Sequence, residues 1–189
     1  MNEVDTTPVP VAREGALEVL KKGQFLPDFE ARILPGQAQA LPQVGSEAMS
    51  GAALVSQAAA FIAVVKKDCP TCVYGLPFFE RLHRLHGRSA PVVLLAQESE
   101  AGARRMAAEN QLRMPILLDE DPYSIGEDLE LDYVPAGFLV SQGGQIQLSF
   151  ESFECEALQE IHRRLSLAGR AKLRPFFQED EPVVAFRPG

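Results

Sequence analysis

The chain has 189 residues, of which 46 % are hydrophobic and 23 % are charged, and its formal net charge is −8. This is the composition of an ordinary globular domain, and the acidic balance argues against nucleic-acid binding, which requires a basic stripe. No stretch has the roughly 18 apolar residues of a membrane helix. The first residues lack a basic region followed by an apolar run, and three cysteines are too few for a disulfide scaffold. The expected location is therefore cytoplasmic.

The N-terminal third predicts a tail followed by β structure. Residues 1–22 are interpreted as an N-terminal tail. Residues 29–34 and 38–41 predict a hairpin-like pair of strands, because a Pro-Gly turn signal separates them. Residues 45–60 are rich in small side chains and predict a loop with a short helix, for which Ser46 is placed as a cap.

A strand–helix junction that carries two cysteines lies at the centre of the sequence. Residues 61–65 form an apolar, β-branched run typical of a buried strand. Cys69-Pro70-Thr71-Cys72 follows, and the apolar residues after it recur at helical spacing. The first helical turn has unpaired N–H groups and partial positive charge, so it favours a thiolate at Cys69, and Pro70 suits the first helical position. The two-residue gap brings Cys72 within disulfide reach of Cys69. The junction predicts a reversible disulfide.

The remainder alternates between strands and helices. The predicted strands are 90–96, 114–118, 137–141 and 145–150, and the predicted helices are 99–111, a turn within 122–131, and 154–168. Strands alternating with helices, followed by a hairpin and a closing helix, predict an α/β protein with a mixed central sheet flanked by helices. Residues 169–189 predict an extended C-terminal arm that packs on the domain or on a second copy of the chain through Phe176, Phe177 and Phe186. A loosely ordered tail is the alternative.

Three features together resemble the thioredoxin fold. They are the Cys69–Cys72 pair after an apolar strand, Pro77 five residues past the second cysteine, and Val134-Pro135 before a later strand, with Pro135 as the candidate cis proline. Pro27-Asp28-Phe29, preceded by Gly23, is similar to the opening of the redoxin branch, which includes thiol–disulfide oxidoreductases and the alkyl-hydroperoxide-reductase and thiol-specific-antioxidant proteins. The resemblance implies a thioredoxin-like domain over residues 23–168, with an N-terminal β extension and an inserted strand–helix unit.

The leading functional hypothesis is an enzyme that exchanges disulfides. Cys69 is the expected nucleophile because it is nearer the exposed helix end, and Cys72 is expected to resolve the mixed disulfide. The resemblance implies that Val134, Pro135, Pro70 and Thr71 form the substrate groove. The expected substrates are protein or small-molecule disulfides, with a thioredoxin or glutaredoxin system as reducing partner and no cofactor. Lys66 and Lys67 could favour a Cys69 thiolate or be solvated.

Departures from the thioredoxin pattern leave the direction of exchange open. Asp68 stands where thioredoxins have tryptophan, and Ala63 stands where they bury an acid. Reductase, oxidase and isomerase are all compatible, because the dipeptide between the cysteines tunes the potential. A thiol peroxidase is a second hypothesis, although Lys66 and Ile62 stand where its threonine and proline would be. A non-catalytic thioredoxin-fold binding module is a third.

The remaining polar residues give weaker signals. A structural zinc site would need four ligands, and beyond Cys69 and Cys72 only Cys155 and the three histidines are left, without a second CxxC or an HxxxH. No metal site is therefore predicted. His83, His86 and His162 are predicted to be solvated, Asp68 is a possible helix cap, and Cys155 is expected to fill the core or lie at the surface. A charged face is predicted for Glu127, Asp128 and Glu130.

Overall fold

The computed structural model describes residues 22–36 and 47–189. Three predictions lie outside these residues: nearly all of the tail at 1–22, the second hairpin strand at 38–41, and the cap at Ser46. No helix in the described residues is long and apolar enough to cross a membrane.

The elements follow the predicted alternation of strands and helices. The strands are β1 (Glu30–Ile33), β2 (Ala48–Ser50), β3 (Ala60–Val65), β4 (Val92–Ala96), β5 (Ile116–Leu118), β6 (Ala136–Val140), β7 (Ile146–Glu151), β8 (Phe153–Glu154) and β9 (Phe186–Arg187). The helices are α1 (Gly51–Leu54), α2 (Pro70–His86), α3 (Glu100–Glu109), α4 (Ser124–Asp128) and α5 (Cys155–Ala168). Ser99 caps α3 as predicted, accepting a hydrogen bond from the N–H of Gly102 at 3.2 Å.

Most of the strands belong to one mixed sheet. In the described residues its order is β2-β1-β5-β4-β3-β6-β7, with β3, β4 and β5 parallel and the other pairs antiparallel. Buried side chains of α2 and of α3 belong to one core cluster, together with alternate residues of β3. Helices α2 and α3 therefore cover the same face.

Strand β3 is buried on both faces, as its continuous apolar run predicts. Phe61, Ala63 and Val65 belong to the core cluster that also contains side chains of α2, α3 and α5. The alternate residues, Ile62 and Val64 among them, belong to the second cluster, together with α1 and α4. The period of two along the strand assigns each residue to one face.

The loop prediction for residues 45–60 was incomplete, because this segment contains β2 as well as the short α1. Strand β2 pairs antiparallel with β1, and Met49 is buried. Helix α1 is capped by Ser50, whose hydroxyl accepts a hydrogen bond from the N–H of Ala53 at 3.1 Å. A strand of three residues gives almost no periodic signal, so its pairing depends on the neighbouring β1.

Two of the histidines predicted to be solvated are buried, at the C-terminal end of α2. His86 is 3 % exposed and His162 is 6 % exposed. The Nε2 of His86 and the Nδ1 of His162 are 2.9 Å apart, and the Nε2 of His162 is 2.9 Å from the carbonyl oxygen of Arg174. Because each ring finds a polar partner, the pair is accommodated inside the protein rather than in solvent.

The C-terminal arm packs on the domain in its first half. Phe176 is 4 % exposed and joins the core cluster of α2 and α5, while the Phe177 ring packs edge-on against Phe78 with centroids 5.4 Å apart. The guanidinium of Arg81 binds both carboxylate oxygens of Glu181 and the carbonyl oxygen of Phe176. The second half continues over the N-terminal end of α2, where β9 pairs with β8.

Candidate active site

The two cysteines occupy unequal positions at the start of α2. Cys69 is the N-cap residue, half-buried, and its Sγ accepts a hydrogen bond from the N–H of Cys72 at 3.1 Å. Cys72 is fully buried one turn further on, and its Sγ accepts from the N–H of Lys66 at 3.5 Å. Both are free thiols. Asp68 is therefore not the helix cap; its carboxylate lies 2.6 Å from the ammonium of Lys67.

Burial makes the two thiols chemically different. Burial in the core, and secondarily the hydrogen bond with Cys69, raise the pKa of Cys72 well above its ordinary value. Cys72 therefore stays protonated at neutral pH, whereas Cys69 is only half-buried, so a substrate can approach it. This asymmetry is suited to a first attack by Cys69 and a second attack by Cys72.

The loop at Val134-Pro135 faces the Cys69 sulfur. The Val134–Pro135 peptide bond is cis, as predicted, and the Cys69 thiol lies 3.4 Å from the carbonyl oxygen of Val134, to which it donates. Strand β6 starts directly after Pro135, and its first residue, Ala136, pairs with Val64 of β3. The sheet register therefore holds the loop beside the end of β3, where the chain turns towards Cys69.

Pro188 and Gly189 lie over the groove between Thr71 and Val134, a contact that sequence reasoning missed. The hydroxyl of Thr71 donates a hydrogen bond to the carbonyl oxygen of Pro188. Gly189 lies against the proline loop so closely that a Cβ on it would fall 2.4 Å from the carbonyl oxygen of Val134. Nothing in the local sequence pattern around Pro188 indicates this contact, because it joins residues 117 positions apart.

A small cleft of about 230 Å³ opens on the far side of the same loop. The lining comes from the residues directly after β3 and β4, from α4 and the two residues before it, and from the loop before β6: Lys66, Gln97, Pro122, Tyr123, Gly126, Glu127, Leu131, Asp132, Tyr133 and Val134. The ammonium of Lys66 lies 4.7 Å from the centre of the Tyr123 ring. Lys66 thus contributes its charge to this cleft, next to the Cys69 site.

The other candidate residues do not join the site. Cys155 is half-buried at the start of α5, and burial raises the pKa of its thiol, which disfavours a reactive thiolate. Glu127, Asp128 and Glu130 are exposed, as predicted. In the described parts of the chain, no three His, Cys, Asp or Glu side chains are arranged to hold a metal ion.

Comparison with known proteins gives matches among solved structures. No protein-family model matches the sequence, and no curated protein sequence matches it significantly. The thioredoxin domain of a thiol-disulfide oxidoreductase from Bacteroides vulgatus superposes with a TM-score of 0.63 at 13 % identity, over 77 % of this chain and 97 % of that one. A thio-disulfide isomerase from Thermus thermophilus gives 0.59 at 21 % identity, over 82 % and 100 %.

A third neighbour is a secreted Mycobacterium tuberculosis disulfide oxidoreductase described as homologous to E. coli DsbE. It gives a TM-score of 0.56 at 17 % identity, over 74 % of this chain and 95 % of that one. The chain has the thioredoxin fold. The fold predicted from the resemblance is thereby confirmed, and the thioredoxin-fold helix carries Pro77 in its interior. The roles of Cys69, Cys72, Pro70, Thr71, Val134 and Pro135, and the domain boundaries, stay predictions.

Proposed function

We propose that the protein is a thiol–disulfide oxidoreductase that uses Cys69 as nucleophile and Cys72 as resolving thiol. One observation carries this proposal: a half-buried cysteine at the N-terminus of a helix, backed by a buried cysteine one turn away and facing a cis-proline loop. A site built only to fill a core would not need one of its two cysteines at the surface.

The reaction consists of two exchanges. The Cys69 thiolate attacks one sulfur of a substrate disulfide, forming a mixed disulfide and releasing the first substrate thiolate, which takes up a proton. Cys72 then loses its proton and attacks the Cys69 sulfur, releasing the second substrate thiol and leaving a Cys69–Cys72 disulfide. The substrate gains two electrons and the protein loses two. An external dithiol, such as a thioredoxin or glutaredoxin system, would return the protein to its reduced form.

The N–H groups of the first helical turn support the first step. The N–H of Cys72 already donates to the Cys69 sulfur, and a sulfur that gains negative charge strengthens such a bond. The second step has less help, because Ala63 stands where thioredoxins bury an acid and because burial raises the pKa of the Cys72 thiol. The resolving step should therefore accelerate with rising pH.

The solved structures add independent support. The named activities of all three neighbours described above are those of thiol–disulfide oxidoreductases or isomerases. At identities of 13 to 21 %, these neighbours share the fold of this chain, and the thiol–disulfide chemistry is proposed for it. A cytoplasmic location is a separate proposal, and fractionation of cells that express the full-length protein would test it.

The test compares two oxidants against the fully reduced protein. The loss of the Cys69 and Cys72 thiols is followed by alkylation and mass spectrometry, first with a protein disulfide and then with hydrogen peroxide. Cys155→Ser is the matched control, because it removes the one cysteine outside the proposed pair. Rapid loss of both thiols to the disulfide, unchanged in the control, is the expected result.

Two other results would contradict the proposed oxidoreductase function. Fast peroxide consumption with slow disulfide exchange would replace the proposal with a thiol peroxidase that proceeds through a sulfenic acid on Cys69. Inertness towards both oxidants in the folded protein would leave a thioredoxin-fold binding module.

A further inference from the structure

Residues 183–189, here called the strap, run across the N-terminal end of α2. Three hydrogen bonds hold the strap backbone. The N–H of Val184 donates to the Tyr74 hydroxyl at 3.1 Å, the N–H of Gly189 donates to the Ser152 hydroxyl at 3.0 Å, and the carbonyl of Ala185 accepts from the N–H of Cys155 at 2.9 Å. The pairing of β9 with β8 adds to them. The guanidinium of Arg187 lies 5.1 Å from the centre of the Tyr74 ring. The strap therefore has a defined course over the helix.

The strap ends between the first turn of α2 and the loop at Val134-Pro135. Pro188 accepts the hydrogen bond of Thr71, which lies between the two cysteines, and Gly189 rests on the carbonyl of Val134. The same carbonyl accepts the hydrogen bond of the Cys69 thiol. The strap thus occupies polar groups of the helix turn and of the proline loop that an incoming chain would otherwise meet.

The strap covers these groups without sealing the sulfur. Cys69 remains only half-buried, and Pro70 beside it is exposed. Part of Cys69 therefore remains accessible, whereas a polypeptide laid along Thr71 and Val134 would overlap Pro188 and Gly189.

The strap is also attached weakly compared with the chain before it. The side chain of Phe186 is 57 % exposed, and Ala185, Pro188 and Gly189 are exposed as well. Few apolar groups are buried, so its attachment depends mainly on hydrogen bonds that water can replace. Just before it, the ion pair between Arg81 and Glu181 fixes the point from which the strap starts.

We propose that the strap determines substrate class: while docked, it admits small disulfides to Cys69 and excludes disulfides carried on extended polypeptides. This inference depends on the proposed oxidoreductase function. An extended substrate must first displace the strap, so its rate is reduced by the fraction of molecules in which the strap is docked. A small disulfide needs no displacement.

The experiment measures how fast the reduced protein reacts with two disulfides. One is bis(2-hydroxyethyl) disulfide, and the other is an unstructured peptide dimer joined by a single disulfide. The variants are a chain truncated after Pro182 and, in case truncation impairs folding, the full-length double variant Tyr74→Phe/Arg187→Ala, which removes two strap contacts. Phe186→Ala is the matched control, because it alters an exposed strap side chain and no described anchor. Circular dichroism verifies that each variant is folded.

The expected result is a rate with the peptide dimer that rises about tenfold in the truncated chain, and by less in the double variant. The rate with the small disulfide should stay within about twofold in every variant, and Phe186→Ala should match the wild type. Unchanged rates with the peptide dimer would overturn the proposal, as would an equal rise for both disulfides or a fall for the peptide.

The proposed function fails separately from the strap proposal. If the full-length protein reduces neither disulfide and removing the strap does not change this, then the oxidoreductase function is refuted, and the strap proposal with it. If the full-length protein reduces the small disulfide and the ratio of the two rates does not change with the strap, only the strap proposal is refuted.

Discussion

The C-terminal arm covers both ends of α2, but the two ends differ in how deeply their polar side chains are buried. At the N-terminal end a thiol reaches the surface, and the arm lies over it with exposed side chains. At the other end two imidazoles are buried, and the arm seals them with a buried phenylalanine ring, Phe176, whose centroid is 5.3 Å from that of His162. The first half of the arm therefore stabilises the fold, whereas the strap is the part that we propose a substrate displaces.

The hydrogen bonds determine the tautomers of the neutral histidine pair at the sealed end. A carbonyl only accepts, so the Nε2 of His162 carries a proton that it donates to Arg174. In the neutral ring the Nδ1 of His162 is then an acceptor, and the Nε2 of His86 donates to it. Both rings of the neutral pair therefore have a hydrogen-bond partner.

The largest expected effect is at the open end. Cys69→Ser should lower the rate of disulfide exchange by more than about 100-fold, because the serine hydroxyl is not an effective nucleophile towards a disulfide. Cys72→Ser should keep the first exchange and accumulate a mixed disulfide on Cys69, visible by mass spectrometry without reductant. Equal loss of the first exchange in both variants would contradict the assigned roles.

The largest effect on stability is expected in the part of the arm that lies over the sealed end. Phe176→Ala should lower the free energy of unfolding by about 3 to 4 kcal/mol, measured by urea denaturation, because it leaves a cavity in the core. The control is Phe186→Ala in the strap, where the ring is 57 % exposed and the change should be within about 0.5 kcal/mol. Similar losses in the two variants would remove the distinction between the packed first half of the arm and the strap.

The histidine pair should make stability depend on pH. Burial, and secondarily the neighbouring His162, lower the pKa of His86 from 6.5 to about 4. The unfolded chain binds this proton more readily than the folded one, so the contribution is present above pH 6.5 and is lost as pH falls towards 4. The loss should reach up to about 3 kcal/mol in urea denaturation series.

Two substitutions isolate this effect. His86→Gln retains a donor for His162 but does not titrate, so its stability should fall less steeply over the same pH range. His83→Gln, at a half-buried histidine outside the pair, should keep the wild-type pH dependence. Equal slopes in wild type and His86→Gln would assign the pH dependence to other groups.

The smallest effect on stability is expected at Glu181, just before the strap. Glu181→Gln should lower the free energy of unfolding by about 1 kcal/mol, because the paired charges at this site are partly exposed. Glu179→Gln, at an exposed acid nearby, should have almost no effect. Chemical denaturation at low and high salt would check this, with the difference shrinking at high salt. A loss that did not depend on salt would contradict an electrostatic origin.

Local patterns predicted the half of the molecule around the cysteine pair well. The apolar run before Cys69, the proline at the first helical position and the helical spacing of the apolar residues after the pair each act within a few residues of one another, so the sequence encodes them directly. Those apolar residues are Leu76, Phe79, Leu82 and Leu85, of which the first three are buried and Leu85 is 55 % exposed. The cis proline at position 135 came from the resemblance to the thioredoxin fold. By itself the sequence therefore determined the strand–helix junction, the cysteine pair at its turn and the α/β class.

Only the tertiary structure decided which identical residues are buried. Phe176 and Phe186 are equally apolar and stand ten positions apart in the same arm, yet one is 4 % and the other 57 % exposed. His86 and His162 are buried because their helices bring them together across 76 positions, and Thr71 meets Pro188 across 117. Such contacts leave no periodic trace, because their free energy depends on the packing of elements that are distant in the sequence.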